Sequence, residues 1–153
     1  MPPPPSETMG ERVVLIHAAV ADSRMWERQA RGLQARGFDV VTPDLPGFGS
    51  EPVPAGPFSF VERIASLLPT MLVGSSFGGR IALETALAQP LSALRPPTLG
   101  VLGENDRPDF AAIAERIVRE APNARLEVVP GARHLPSLER PDEFDALVVP
   151  FLS

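Results

Sequence analysis

The chain has 153 residues, of which 44% are hydrophobic, and a formal net charge of −5 at pH 7, which predicts one globular domain with a continuous core. It contains neither cysteine nor lysine, which excludes a thiolate metal site, a Schiff base and a phosphate-binding lysine; no metal or cofactor is predicted. No basic stripe and no long uninterrupted apolar run occurs in the sequence, so neither nucleic acid nor a membrane is an expected partner.

The first ten residues include four successive prolines and predict an extended, disordered lead-in over residues 1–10. Residues 11–153 are predicted to form the single domain. The N-terminus lacks the charged segment and apolar core of a secretory signal, which favours a cytoplasmic location.

Five short apolar runs then alternate with five helical patterns. The runs lie at residues 13–16, 38–41, 70–73, 98–102 and 126–129. The helix after the third run is predicted to continue to Pro90. The helix after the fourth run is predicted to bury an apolar stripe formed by Phe110, Ile113, Ala114, Ile117 and Val118.

This alternation of apolar runs and helices predicts an α/β fold with a parallel sheet covered by helices on both faces, giving three layers. Right-handed crossovers then favour a doubly wound sheet of about five strands in the order 2-1-3-4-5. In such sheets ligands bind at the carboxyl edge, where the winding reverses between strands 1 and 3.

The pentapeptide Gly74-Ser75-Ser76-Phe77-Gly78 separates the third apolar run from its helix. This is the G-x-S-x-G pattern in the strand–turn–helix setting that exposes a serine nucleophile. The alternative is a glycine-rich helix start that only packs on a sheet. Ser76 is the predicted nucleophile because its turn lies at the sheet edge where the topology places a ligand.

A serine nucleophile needs a base, and the chain has two histidines. His134 follows the last apolar run, at the same sheet edge as Ser76, and is the predicted base; the alternative is a surface-loop histidine. His17 follows the first run and competes for the role, but it has no acid partner in the right order. We expect His17 to be structural.

Asp106 lies in the turn after the fourth run and is predicted to orient His134, since Ser, acid, His is a known chain order for a triad. Its alternative is a turn residue or helix cap, which aspartate favours. Glu104 and Asp109 are rivals, although Asp109 suits the N-cap of its own helix.

An oxyanion hole needs two N–H donors. The amide of Phe77, next to the nucleophile, is one prediction, and the amide of Ala19 in the loop after the first run is the other, with Ala18 as its rival. Ala18, Val20 and Leu135 are predicted to contact the substrate.

Several of these segments resemble the α/β-hydrolase superfamily. Residues 14–19 resemble its strand and oxyanion loop, residues 43–50 its next loop, 74–79 its nucleophile elbow, 103–106 its acid turn and 131–136 its histidine loop. The resemblance covers about residues 11 to 152. It implies hydrolysis of an ester, thioester or related bond through an acyl-enzyme, without a cofactor.

The chain departs from that family where members usually place another strand, a cap domain and another helix, since only residues 89–97 link the elbow helix to the acid-bearing strand. Loss of one strand predicts a shift of strands 4 and 5 by about 4.8 Å toward strand 3. The distance from Ser76 to His134 would then depend on loop adjustment.

These observations predict a capless serine esterase for small, short-acyl esters. The alternatives are a non-catalytic scaffold or binding module, and an acyltransferase or perhydrolase with the same triad. Family members usually carry a hairpin before the first segment seen here, and its absence predicts an exposed edge at strand 2. A monomer or a weak homodimer is expected.

Overall fold

Parallel strands alternate with helices in the computed structural model, which describes residues 10–67, 69–86 and 97–153. The strands are β1 (Arg12–Ile16), β2 (Asp39–Val41), β3 (Met71–Gly74), β4 (Thr98–Gly103) and β5 (Ala124–Val129). The helices are α1 (Glu27–Gln34), α2 (Phe60–Ala65), α3 (Phe77–Ala86), α4 (Pro108–Glu120), α5 (Pro136–Glu139) and α6 (Pro141–Leu152), with a 3₁₀ turn at Ser23–Trp26. The predicted lead-in, apart from Gly10, and the predicted helix end from Leu87 to Pro90 lie outside the described residues.

The first sheet has the order β2-β1-β3, and all its pairings are parallel. β1 lies at its centre, and Val13, Val14, Leu15 and Ile16 are each at most 1% exposed. A strand with a neighbour on each edge and helices on each face is apolar at every position, which explains the continuous apolar run in the sequence.

The second sheet contains β4 and β5, also parallel. The predicted α/β class, with parallel strands and helices, is confirmed, and the neighbours 2-1-3 and 4-5 occur as predicted. Within the described ranges, the ladders form a three-stranded and a two-stranded sheet, and none joins β3 to β4. The full order 2-1-3-4-5 and the shift of strands 4 and 5 toward strand 3 stay predictions.

Side-chain packing joins the two sheets instead. One core cluster combines Val13 and Leu15 of β1 with Trp26, Phe144 and Val148 of the helical layer. Half-buried residues of both sheets pack against it: Met71 and Val73 from β3, and Leu99 and Val101 from β4. A second cluster on the opposite face of the first sheet contains Val14, Ile16, Leu45, Ile64 and Ile81. The first sheet is thus the middle of three layers.

Helix α4 differs from the prediction. None of its residues is buried, and Ile113, which was expected to face inward, is 55% exposed. The helix packs on β4 and β5. A sheet of two strands is too narrow to cover an apolar stripe as wide as this one, so part of the stripe faces solvent.

The start of α3 lies against the end of β1. A Cβ atom on Gly78 would collide with the carbonyl oxygens of Ile16 and His17. Backbone atoms cannot move aside as a flexible side chain can, so only glycine permits this approach.

We therefore expect Gly78→Ala to lower the free energy of unfolding by about 1–3 kcal/mol, because overpacking forces the backbone apart. Gly32→Ala, in the interior of α1, is the matched control, since its added Cβ meets only the end of the Arg36 side chain, 3.8 Å away. It should be neutral or stabilise by up to about 1 kcal/mol. Urea unfolding of both variants measures this, and equal stability of Gly78→Ala and the wild type would contradict the packing.

Candidate active site

Ser76, His134 and Asp106 meet at the carboxyl edges of the two sheets. The Ser76 hydroxyl oxygen lies 2.8 Å from Nε2 of His134. Nδ1 of the same imidazole lies 3.2 and 3.1 Å from the two carboxylate oxygens of Asp106. Ser76 follows β3, Asp106 follows β4 and His134 follows β5, so one imidazole connects three strand ends.

The turn at Ser76 is strained. Its φ of 53° lies in the left-handed region and is the only positive φ of a non-glycine residue in the described part of the chain. Gly74 and Gly78 permit the turn, because a Cβ on Gly74 would collide with the carbonyl of Gly78. The hydroxyl is thereby held at the N-terminus of α3, where unpaired amides and the helix dipole favour negative charge.

The Asp106 side chain is buried, with 6% exposure, whereas that of His134 is 34% exposed. A carboxylate only accepts hydrogen bonds, so in the neutral imidazole Nδ1 carries the proton and donates to Asp106. Nε2 is then free to accept the hydroxyl proton of Ser76. This is the tautomer that a general base requires.

The two rivals of Asp106 lie elsewhere. Glu104 accepts the amide of Gly131, at 2.9 Å. Asp109 pairs with Arg107, at 3.1 Å. Neither carboxylate is within hydrogen-bonding distance of the imidazole of His134.

The acid turn and the histidine loop are fastened together by backbone contacts. The amide of Asn105 donates to the carbonyl of Ala132 at 2.8 Å. Gly103 allows the close approach, because a Cβ there would collide with the carbonyls of Ala132 and Arg133. Asp106 and His134 therefore keep their mutual geometry independently of the first sheet.

Glu139 also supports the histidine loop, and sequence reasoning missed it. Its carboxylate accepts the amide of Arg133 at 3.0 Å and the amide of Leu135 at 2.9 Å. These two amides flank His134 on both sides. An acidic residue five positions after the histidine was the only available signal, and spacing alone does not distinguish it from a surface charge.

The structure distinguishes between the two candidate oxyanion donors in the first loop. Ala18 is fully buried, and its amide donates to the sulfur of Met25 at 3.3 Å. Ala18 is 0% exposed, and its contact with the substrate stays a prediction. Ala19 is exposed, and its amide donates to no acceptor among the described residues, as is true of Phe77 at the start of α3.

His17 is fully buried and bonded to backbone at both nitrogens. The amide of Leu45 donates to Nε2 at 3.0 Å, so Nδ1 carries the proton and donates to the carbonyl of Ala18 at 2.9 Å. This supports the structural role that was expected for His17, as a link between the loops after β1 and β2.

A shallow cavity of about 660 Å³ begins at Ala19. Val20, predicted to contact substrate, lines it and is 82% exposed. Leu135 does not line it; its side chain packs against the first core cluster, so its substrate contact stays a prediction. Leu138, which was not predicted, lines the cavity and is 48% exposed.

The described ranges contain neither a cluster of metal ligands nor a membrane-spanning helix. No group of three or more His, Cys, Asp or Glu side chains converges in the described ranges. None of the helices described there has the length and apolarity needed to cross a bilayer.

The sequence profile of the alpha/beta hydrolase family matches residues 13–93, slightly more than half of the chain. The chain belongs to this family. Lipase LipV of Mycobacterium tuberculosis is 31% identical over 141 residues, which are 78% of this chain and 53% of the lipase. A pimeloyl-(acyl-carrier protein) methyl ester esterase of Aeromonas hydrophila is 34% identical over 88 residues, which are 53% of this chain and 34% of the esterase. The chain thus spans about half of the length of the lipase and about a third of that of the esterase.

The fold is shared with solved hydrolase structures. A hydrolase from Pseudomonas aeruginosa PA01 superposes with a TM-score of 0.84 at 19% identity, covering 95% of this chain and 91% of that one. Similarity at this level of identity establishes the architecture, and it agrees with the parallel strands and helices described above.

Asp44 secures the loop after β2 in this hydrolase-family chain. Its carboxylate accepts the amide of Ser50 at 2.8 Å, the hydroxyl of Ser50 at 2.9 Å and the amide of Ser23 at 2.8 Å. The hydrogen bond from the Ser50 amide, joined by that from Ser23, lowers the pKa of Asp44 well below its usual range, although partial burial opposes the shift.

Asp44→Asn should lower the free energy of unfolding at pH 7 by about 1–3 kcal/mol, because it removes bonds to a charged acceptor. The folded-state pKa lies below the unfolded value of about 3.9. The contribution of the carboxylate is therefore complete above that value and is lost as the pH falls below it.

Urea unfolding at pH 7 and at pH 3 tests this expectation. The difference in the free energy of unfolding between the wild type and Asp44→Asn should be smaller at pH 3 than at pH 7. The control variant Asp109→Asn, on the exposed surface of α4, should change this free energy little at pH 7. A gap of the same size at both pH values would show that Asp44 does not act through its charge.

Proposed function

We propose that this chain is a serine hydrolase that cleaves small carboxylic esters through an acyl-enzyme. The hydrogen bond between Ser76 and Nε2 of His134 carries the proposal, because an isolated serine hydroxyl is a weak nucleophile and this contact supplies its base. Asp106, on the opposite nitrogen, holds the required tautomer.

In the first half of the reaction, the Ser76 oxygen attacks the ester carbon while Nε2 of His134 takes the hydroxyl proton. The tetrahedral intermediate collapses by breaking the bond to the alcohol oxygen, which leaves as the alcohol after receiving that proton. Ser76 then carries the acyl group. In the second half, a water attacks the acyl carbon, His134 takes the water's proton, and the proton returns to the Ser76 oxygen as the acid departs.

The amides of Ala19 and Phe77 would stabilise the negative oxygen of each intermediate. Phe77 begins α3, so its amide adds to the positive end of the helix dipole. Fixed donors of this kind contribute a factor of about 10²–10³ each to turnover in acyl transfer. The burial of Ala18 supports Ala19 as the donor from the first loop.

The names of the similar proteins support the ester as the substrate class. One is called a lipase and another a methyl ester esterase. Both names denote the hydrolysis of an ester, which is the reaction that the arrangement around Ser76 favours. Because the match to each protein covers only part of it, the match supports the class of reaction and not the particular substrate.

A fluorophosphonate probe should label the wild-type protein and Ser75→Ala but not Ser76→Ala. Ser75 is the matched control, because it is the adjacent serine in the same turn and, among the described residues, it is Ser76 and not Ser75 that hydrogen-bonds His134. Hydrolysis of p-nitrophenyl acetate should fall by at least about a thousandfold in Ser76→Ala. An unlabelled, inactive wild type would favour a non-catalytic scaffold, and acyl transfer to an added alcohol would favour a transferase.

Short acyl chains should suffice, because the apolar side chains of Val20 and Leu138 beside Ala19 are exposed and would bury little of a long chain. A pocket that enclosed the whole acyl chain would contribute about 0.8 kcal/mol of binding free energy for each buried methylene. We therefore expect kcat/KM to change by less than about tenfold between acetyl and dodecanoyl p-nitrophenyl esters below their micellar concentrations. A rise of a hundredfold or more would contradict the shallow site.

A further inference from the structure

Phe110 lies against the imidazole of His134. The two ring centroids are 4.2 Å apart and the ring planes are tilted by 31°. Phe110 is the third residue of α4 and follows Asp106 by four positions. One turn of chain therefore delivers the carboxylate to Nδ1 and an aromatic ring to the face of the same imidazole.

We infer that Phe110 is a positioning residue for His134. It fixes the plane of the imidazole and attracts the positive charge that the ring carries in the transition state. This inference rests on the proposed function, and it adds a residue outside the triad that acts on the rate of the chemical step.

The hydrogen bonds of His134 lie in the plane of its ring, through Nδ1 to Asp106 and through Nε2 to Ser76. Neither of these in-plane bonds contacts the two faces of the ring or holds the ring against tilting. The side chain is one-third exposed, so solvent would otherwise reach those faces. A ring packed at 4.2 Å excludes water from one face and resists tilting of the other ring.

Charge makes this contact important for catalysis. The face of a benzene ring carries partial negative charge and attracts a cation. His134 is neutral while it waits for the Ser76 proton and is an imidazolium once it has taken it. Attraction that is stronger in the transition state than in the ground state raises kcat rather than substrate affinity.

The charged groups near Phe110 are consistent with this role. The guanidinium of Arg107 lies 5.8 Å from the ring centroid, and its charge is offset by Asp109 at 3.1 Å. The buried carboxylate of Asp106 balances the imidazolium from the other side. The ring of Phe110 is therefore free to interact with the charge that appears on His134.

Phe110→Leu removes the ring and keeps an apolar side chain. We expect kcat for p-nitrophenyl acetate to fall about three- to tenfold, with KM changed by less than about twofold. Phe110→Tyr restores a ring and should return kcat to within about twofold of the wild type. Phe151→Leu is the matched control, because Phe151 also has an arginine over its ring, at 5.5 Å, but lies in α6.

Proton NMR provides a readout that does not depend on activity. The aromatic ring current of Phe110 should shift the carbon-bound imidazole protons of His134 upfield, and Phe110→Leu should move them downfield. The chain has two histidines, and the signals of buried His17 report that the fold is intact. Phe110→Tyr should retain the wild-type shifts.

The outcomes separate the two proposals. An active enzyme whose Phe110→Leu variant keeps both its kcat and its His134 shifts would overturn the role of Phe110 alone. A tyrosine variant as impaired as the leucine variant, with normal His17 signals, would show that the ring does not matter. A wild type that neither labels nor hydrolyses esters would overturn the proposed function, while the shifts would still test the stacking.

Discussion

The hydrogen bond between Ser76 and His134 spans two sheets that no strand ladder joins in the described ranges. The serine belongs to the first sheet and the histidine to the second. The length of this hydrogen bond therefore depends on how the two sheets pack against each other, and that packing is set by side chains. The core cluster beneath β1, in which Trp26, Phe144 and Val148 pack together, contacts half-buried residues from both sheets. Close packing transmits small displacements, so the packing of this core affects the distance between the two side chains.

Each half of the site is built locally on its own sheet. In the first sheet, Gly78 brings α3 against the end of β1, which places the elbow beside the loop containing Ala19. The amide of Ser75 donates to the carbonyl of Ile16 in β1, and the buried His17 links the loop after β1 to the loop after β2. In the second sheet, the acid turn and the histidine loop share backbone bonds, and Glu139 fixes the segment on both sides of His134. Only the junction between the halves relies on long-range packing.

Sequence reasoning identified the residues whose chemical type is itself a signal. Ser76 was found because glycines flank it between a strand and a helix, and His134 because there are only two histidines to choose from. The supporting residues were missed for a physical reason. Glu139 and Met25 act on backbone amides, which every residue possesses, and Phe110 acts through packing. Nothing in the sequence pattern marks the partner of such a contact.

The amino-acid sequence by itself determined where strands and helices occur, since continuous apolar runs and helical stripes are local patterns. It also determined the order in which the serine, the aspartate and the histidine of the candidate site follow one another. Tertiary structure alone decided two further points: that Ala18 is buried while Ala19 is exposed, and that Ile113 faces solvent. Each of these depends on which surfaces meet. That choice minimises exposed apolar area over the whole chain, so no window of neighbouring residues contains the answer.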